Sequence, residues 1–267
     1  MKNLKYIDVK TENKIGIISL NNSEELNTLC YAIFDEIYHV LKSFEENNEI
    51  RIILINAKSI ISKSGKKIFS AGVNLKDYES KFKLVKENIA EFEKKLLKVR
   101  KILSYIENHP KTIIAAVDGV AIGGAFEMIL SCDIILASTD AKFALSEVKI
   151  GLIPGYGGIH RLEELMGSKK AHYYMALGDL IKAKTAYDIG IVSELIEIDS
   201  FHKEVLAICN KLAHNSPNAL MLLKKTLKNN KTADPEKVEP ENFLKAISHN
   251  DAQIGVNSFL NKLMPTY

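Results

Sequence analysis

Short apolar runs alternate with segments of helical periodicity over the first half of the chain. The runs at residues 14–20, 50–56 and 112–117 are rich in β-branched residues and predict buried strands. Between the first two runs, apolar residues recur every three or four positions from residue 24 to residue 44, which predicts a helix. A strand, a helix and a strand in this order predict a parallel pair joined by a crossover.

The middle and end of the chain continue this alternation. Residues 76–108 are rich in lysine and glutamate and carry an apolar stripe, which predicts an amphipathic surface helix. Further strands are predicted at residues 132–137 and within residues 141–154. A polar break at residues 232–240 is expected before a last amphipathic helix over residues 241–263. The pattern as a whole predicts an α/β protein whose C-terminal third is helical.

Composition narrows the classes of protein that this chain can represent. Of its 267 residues, 46% are apolar and 26% are charged, as is usual for soluble globular proteins. No apolar run approaches the ~20 residues of a membrane span, and the N-terminus lacks the apolar stretch of a signal peptide, so we expect a cytoplasmic protein with no membrane partner. A net charge of +3 is too small to indicate nucleic acid binding. The histidines and cysteines lack metal-ligand spacing, so no metal site is expected.

The segment from Thr112 to Ser131 contains the strongest candidate for chemistry. In it a buried strand leads into a turn with Gly119, Gly123 and Gly124, and then into a predicted helix. The turn allows three interpretations: dinucleotide binding, tight strand–helix packing, or an oxyanion hole built on free amides at the helix start. The spacing Gly-x-x-x-Gly-Gly differs from the Gly-x-Gly-x-x-Gly of dinucleotide-binding turns. This difference weakens the dinucleotide interpretation, which stays as a third alternative behind the other two.

Two glutamates lie in apolar surroundings close to this turn. Glu127 falls in the first turn of the predicted helix, and Glu147 follows the apolar residues 143–145. Two carboxylates in one partly desolvated pocket have raised pKa values and can divide acid and base roles. The 20 positions between them are few enough to bring both to one end of a sheet. The alternative is that either glutamate caps a helix or pairs with a lysine.

Several ordered motifs resemble those of one enzyme family. Residues 113–127 (IIAAVDGVAIGGAFE) are similar to the motif IAAVNGxAxGGGxE, residues 69–75 (FSAGVNL) to FSAGADL, and residues 25–29 (ELNTL) to ALNAL. Residues 186–192 and 255–259 fit as well. Over nearly its whole length, the chain resembles the enoyl-CoA hydratase/isomerase (crotonase) superfamily.

This resemblance implies a fold and an activity. The fold would be a spiral of β-β-α turns over residues 1–195, followed by a helical region, residues 196–267, that builds homotrimers or hexamers. The activity would be that of a lyase, an enoyl-CoA hydratase, which adds water across the C2=C3 bond of a 2-enoyl-CoA thioester. No cofactor is implied, because coenzyme A is part of the substrate. A Δ3-Δ2-enoyl-CoA isomerase and a carnitinyl-CoA-type dehydratase are alternatives within the family, and a non-catalytic acyl-CoA-binding protein is an alternative outside catalysis.

The resemblance also implies roles for individual residues. Glu127 would activate water for attack at C3, and Glu147 would exchange a proton with C2. The amides of Val73 and Gly124 would form the oxyanion hole for the thioester carbonyl, and Gly155 would lie near the water site. The acyl pocket is expected to use residues between positions 84 and 103. Four further positions are expected to bind the CoA moiety: Leu26, Ser70, Ala71 and Lys76.

Overall fold

The structure is a computed structural model that describes residues 4–229 and 234–267. In these residues the strands are β1 (Ile7–Glu12), β2 (Ile15–Leu20), β3 (Ile52–Ala57), β4 (Ile60–Ile61), β5 (Lys67–Ser70), β6 (Thr112–Val117), β7 (Val120–Ile122), β8 (Ile134–Ser138), β9 (Lys142–Ala144), β10 (Ile181–Lys182) and β11 (Glu194–Ile196). The helices are α1 (Tyr31–Glu46), α2 (Tyr78–Glu87), α3 (Ile89–Asn108), α4 (Gly124–Ile129), α5 (Gly158–Met166), α6 (Ser168–Leu177), α7 (Ala183–Asp188), α8 (Phe201–Ala213), α9 (Pro217–Asn229), α10 (Pro235–Ile247) and α11 (Asn250–Leu260).

The larger sheet has six strands in the order β1-β2-β3-β6-β8-β11. Only β1 and β2 pair in antiparallel fashion, and α1 forms the predicted crossover between the parallel strands β2 and β3. Alternate residues of β3 enter two different cores: Ile53 and Ile55 pack with α1 and α3, whereas Ile52 and Leu54 pack with α8. Because helices cover both faces, these strands appear in the sequence as continuous apolar runs.

The smaller sheet positions the candidate site. Its order is β10-β9-β7-β5-β4, and its three central strands, β5, β7 and β9, are parallel neighbours. Their carboxyl ends therefore lie at one edge of the sheet, where residues 71–73, 123–124 and 145–147 follow directly. Ligands of parallel sheets bind in the crevice beyond the carboxyl ends of the strands.

The first predicted helix begins later than expected, at Tyr31 instead of residue 24. Leu26 and Asn27 have φ angles of 55° and 52°, which a right-handed helix cannot accommodate. Asn27 is completely buried, and its side-chain amide donates to the carbonyl of Phe69 at 3.0 Å. This long-range bond fixes residues 21–30 as a loop that lies against the end of β5.

Two other predicted helices are interrupted. The helix predicted over residues 76–108 breaks at Asn88, whose side chain accepts from the amide of Glu91 at 3.0 Å and so begins α3. The helix predicted over residues 241–263 is divided between α10 and α11, and His249 caps the second of these. Most of the predicted break at residues 232–240 belongs to α10, which starts at Pro235. Residues 232 and 233 lie outside the described part of the chain.

The C-terminal part of the described chain is helical. After β11, only helices α8 to α11 follow among the described residues. No helix in the described ranges is both long enough and apolar enough to cross a membrane. The division into two domains at residue 195 stays a prediction.

Candidate active site

A cavity of about 660 Å³ opens at the edge where β5, β7 and β9 end. Its lining comes from the loops after these strands, from helices α2 and α3, and from the glycine-rich segment before α5. Six of the nine site residues predicted from the sequence line this cavity: Ala71, Val73, Gly124, Glu127, Glu147 and Gly155. The short connection between the two glutamates therefore does bring both to one end of a sheet.

Glu127 is held in a fixed position. It lies on α4, only 2% of its surface is exposed, and its Oε1 accepts from the amides of Tyr156 and Gly158 at 2.8 Å each. Burial raises the pKa of Glu127, while the two amide hydrogen bonds act against that rise. A Cβ on Gly158 would lie 2.8 Å from Cγ of Glu127, so only glycine lets the chain approach this closely.

Two arginines orient the loop that holds Glu127. Arg100 Nη1 donates to the carbonyl of Gly155, and Arg161 Nη1 donates to the carbonyl of Tyr156, both at 3.2 Å. In a trans peptide the C=O and the N–H point in opposite directions. Holding the Gly155 carbonyl therefore turns the amide of Tyr156 toward Glu127. Two of the three arginines in the chain therefore contact this one loop.

Glu147 is the less constrained of the two carboxyls. It follows β9 as the first residue of a short 3-10 helix, and its Oε2 is buried without a hydrogen-bond partner among the described residues. Burial, together with the charge of Glu127, raises the pKa of Glu147 to about 7. A Cβ on Gly123, which has a φ of +55°, would lie 3.1 Å from Glu147 Oε1. The backbone angle therefore favours glycine at position 123, and any larger residue there would also crowd the carboxyl of Glu147.

Two main-chain amides complete the cavity wall. Gly124 is the first residue of α4, where helical N–H groups lack internal acceptors. Among the described residues, neither the amide of Gly124 nor that of Val73 has an acceptor. Val73 and Gly124 lie next to each other in space, because a Cβ on Gly124 would be 3.1 Å from Cγ2 of Val73. Such a pair of amides can stabilise an oxygen on which negative charge develops.

The predicted CoA-binding residues are less uniform in position. Ala71 lines the cavity, and its amide donates to the carbonyl of Leu26 at 3.0 Å, which brings the loop before α1 to the rim. Ser70 is completely buried, and its hydroxyl donates to the carbonyl of Asn27, so its side chain supports the loop. Lys76 is exposed and lies outside the cavity lining. The roles of these residues in CoA binding remain predictions.

The structure adds residues that the sequence did not single out. Tyr78 and Lys81, both on α2, line the cavity. No motif marks them, because helical periodicity identifies an apolar stripe but not the polar side chains that face a ligand. Phe92 and Leu96 of α3 also line the cavity, and both fall within residues 84–103, where the acyl pocket was expected.

Comparison with known proteins agrees with this geometry. The family model of enoyl-CoA hydratase/isomerase matches residues 10–267. A probable enoyl-CoA hydratase of Bacillus subtilis is 32% identical, with 98% of each chain covered, and the mitochondrial enoyl-CoA hydratase of Pongo abelii is 31% identical over 97% of this chain and 87% of its own. The crystal structure of an enoyl-CoA hydratase from Bacillus anthracis superposes with a TM-score of 0.88 at 27% identity, covering 98% of this chain and 99% of that one.

These matches define the class of the protein. The chain belongs to the enoyl-CoA hydratase/isomerase family, and it is an enzyme of the lyase class. The predicted crotonase-like α/β fold with a helical C-terminal region is confirmed.

Proposed function

We propose that this enzyme is a 2-enoyl-CoA hydratase that adds water across the C2=C3 bond of an acyl-CoA thioester. The observation that carries the proposal is the position around one cavity of a buried carboxyl, a half-buried carboxyl, and two amides that have no acceptor among the described residues. Glu127 and Glu147 are the acid–base pair, and the amides of Val73 and Gly124 receive the thioester oxygen. The family match and the hydratases among the relatives support this assignment.

The chemical steps follow from the different surroundings of the two carboxyls. Glu127 acts in its carboxylate form, to which the two amides donate, and accepts a proton from the water that attacks C3. The resulting enolate oxygen is stabilised by the amides of Val73 and Gly124, and loss of one such donor typically raises a barrier by ~2.7–4 kcal/mol. Glu147, whose neutral form is favoured by burial, delivers its proton to C2.

The acid–base pair works with a single proton. Hydration begins with Glu127 ionised and Glu147 protonated, and ends with the proton on the opposite carboxyl. The return reaction uses that second arrangement, which is a tautomer of the first and has the same net charge. Both directions of the reaction therefore require the same protonation state of the pair.

A bell-shaped pH profile is expected for kcat/KM with crotonyl-CoA. Above pH about 7, Glu147 loses the shared proton and the rate falls, toward about tenfold per pH unit. At acidic pH, Glu127 is protonated as well, so the pair holds two protons, no base is left, and the rate falls again. Initial rates in both directions test this, with circular dichroism at each pH as the control for folding. A flat profile between about pH 6 and 9 would contradict a titrating Glu147.

The activity itself is tested by following the ultraviolet absorbance of the conjugated thioester in crotonyl-CoA. The proposal expects the absorbance to fall only when enzyme is present, with 3-hydroxybutyryl-CoA as the product. If the enzyme instead converts a 3-enoyl-CoA to its 2-enoyl isomer without hydrating crotonyl-CoA, the isomerase alternative replaces it. If neither compound reacts, the hydratase proposal fails.

The proposed reaction needs no separate cofactor, because coenzyme A arrives with the substrate. It needs no metal, because two carboxyls and two amides carry the proposed steps. Within the described ranges, no group of three histidine, cysteine, aspartate or glutamate side chains is arranged to hold a metal ion. Because neither proposed proton transfer needs a metal, turnover after exhaustive treatment with a chelator is expected to equal that of the untreated enzyme. The proposed location is the cytoplasm, which cell fractionation tests.

Assembly into trimers or hexamers is also part of the proposal. The C-terminal helices carry large apolar side chains that remain in contact with solvent in the single chain, including Phe243 (65% exposed) and Phe259 (84% exposed). Apolar surface of this kind marks sites of association. Light scattering is expected to give three or six times the 29.8 kDa of one chain, and Phe259→Glu to lower that mass. A monomer at micromolar concentration would contradict the expectation.

A further inference from the structure

Lys81 is a cation of the cavity that the acid–base chemistry does not use. It lies in the first turn of α2, is half-buried, and lines the cavity. Its Nζ is 4.4 Å from the centroid of the Tyr78 ring. Tyr78 lines the same cavity as Glu147 and Glu127, and burial together with the charges of these two glutamates raises the pKa of Tyr78. The ammonium, the Tyr78 ring and the acid–base pair therefore line one cavity.

Among the residues that the structure describes, this ammonium lacks a carboxylate partner. In the described part of the chain, no acidic oxygen lies within ion-pair distance of Lys81 Nζ. Burial lowers the pKa of Lys81, and the charge of nearby Asp77 offsets that effect only in part. The face of the Tyr78 ring contributes some compensation as a cation–π partner. A half-buried cation in this situation is stabilised when an anion binds next to it.

The charges around the cavity indicate where that anion comes from. The lining contains two acids, Glu127 and Glu147, and three cations, Lys81, Arg100 and Lys149. Lys149 forms an ion pair at 2.5 Å with an aspartate outside the cavity, and Arg100 donates to a main-chain carbonyl. Of these three cations, Lys81 alone has neither an ion pair nor a hydrogen bond to a main-chain carbonyl among the described residues. A plain hydrocarbon acyl chain would leave it uncompensated.

Building on the proposed hydratase function, we propose that Lys81 binds a carboxylate on the acyl group of the substrate. The preferred substrates are then 2-enoyl-CoA thioesters with an acidic acyl chain, of which glutaconyl-CoA is a simple representative. A phosphate of CoA offers the same anionic oxygens. However, the whole pantetheine arm separates the phosphates from the thioester, whereas Lys81 lines the same cavity as the residues that react at the acyl group.

The experiment compares glutaconyl-CoA with hex-2-enoyl-CoA, a neutral thioester of similar length. The ratio of the two kcat/KM values is measured for the wild type, Lys81→Met, Lys81→Arg and Lys86→Met. Lys86 is an exposed lysine of the same helix outside the cavity lining and serves as the matched control. Inhibition by free CoA is measured for each protein, because only a phosphate contact would alter it. Thermal unfolding of each variant verifies that it is folded.

The wild type is expected to favour glutaconyl-CoA by at least about 10-fold, and Lys81→Met to lower that ratio by about 10- to 100-fold, as for loss of a charged hydrogen bond. Lys81→Arg should retain part of the preference, and Lys86→Met all of it. A wild type that prefers hex-2-enoyl-CoA, or a ratio unchanged in Lys81→Met, overturns the inference while leaving the hydratase function intact. Weaker inhibition by free CoA in Lys81→Met, equal to the loss with glutaconyl-CoA, assigns Lys81 to a phosphate and also overturns it. Failure to hydrate either thioester removes the hydratase function as well.

Discussion

Glu127→Gln is expected to lower kcat for hydration of crotonyl-CoA by about 10²- to 10⁴-fold, the usual contribution of a general base. The oxygen of glutamine can still accept from the amides of Tyr156 and Gly158, so the substitution keeps the position of the side chain. What it removes is the ability to take a proton from water. Steady-state rates with crotonyl-CoA measure the effect, and KM is expected to change far less than kcat.

Glu163→Gln provides the matched control for this substitution. Glu163 is an exposed glutamate on α5 outside the cavity lining, and its replacement is expected to leave turnover at the wild-type level. Thermal unfolding of both variants establishes that each is folded. Turnover in Glu127→Gln equal to that of the control would exclude Glu127 as the base.

Glu147→Gln is expected to reduce hydration by a similar factor of about 10²–10⁴, and in addition to abolish proton exchange at C2. A glutamine cannot carry the proton that the raised pKa of Glu147 keeps available near neutral pH. Transfer of deuterium from solvent into C2 of butyryl-CoA, followed by mass spectrometry, isolates this step because no water is added.

The same exchange measurement separates the two glutamates. Glu127→Gln should retain exchange at C2, because the carboxyl it removes acts on water and not on C2. Glu147→Gln should lose the exchange. Exchange at the wild-type rate in Glu147→Gln, or its loss only in Glu127→Gln, would reverse the assigned roles. The upper limb of the pH profile should also disappear in Glu147→Gln.

The parts of the fold that the sequence predicted are those with local causes. The run at residues 112–117 is almost continuously apolar because both faces of its sheet are covered. Any strand that is buried on both faces gives such a run in the sequence. The glycine turn was visible because Gly123 must adopt a positive φ next to a carboxyl. The convergence of Glu127 and Glu147 followed from the short connection between two strands, which the structure shows to be neighbours.

The parts that were missed depend on contacts between distant positions. The late start of α1 comes from Asn27, whose side chain bonds to a carbonyl 42 residues away. The support of the Glu127 loop comes from Arg100, 55 residues before the carbonyl it holds. Lys81 resembles any other lysine in a lysine-rich helix, and only the packing of α2 against the cavity distinguishes it. No local pattern encodes such pairings.

A crystal structure of the enzyme with acetoacetyl-CoA, an enolisable thioester that is not hydrated, tests the central claim most directly. The account predicts the thioester oxygen within about 2.7–3.2 Å of the amide nitrogens of Val73 and Gly124, with the carboxyls of Glu127 and Glu147 both facing the acyl group. A thioester bound in another cavity, or an oxygen held by other donors while either carboxyl faces away, would contradict it.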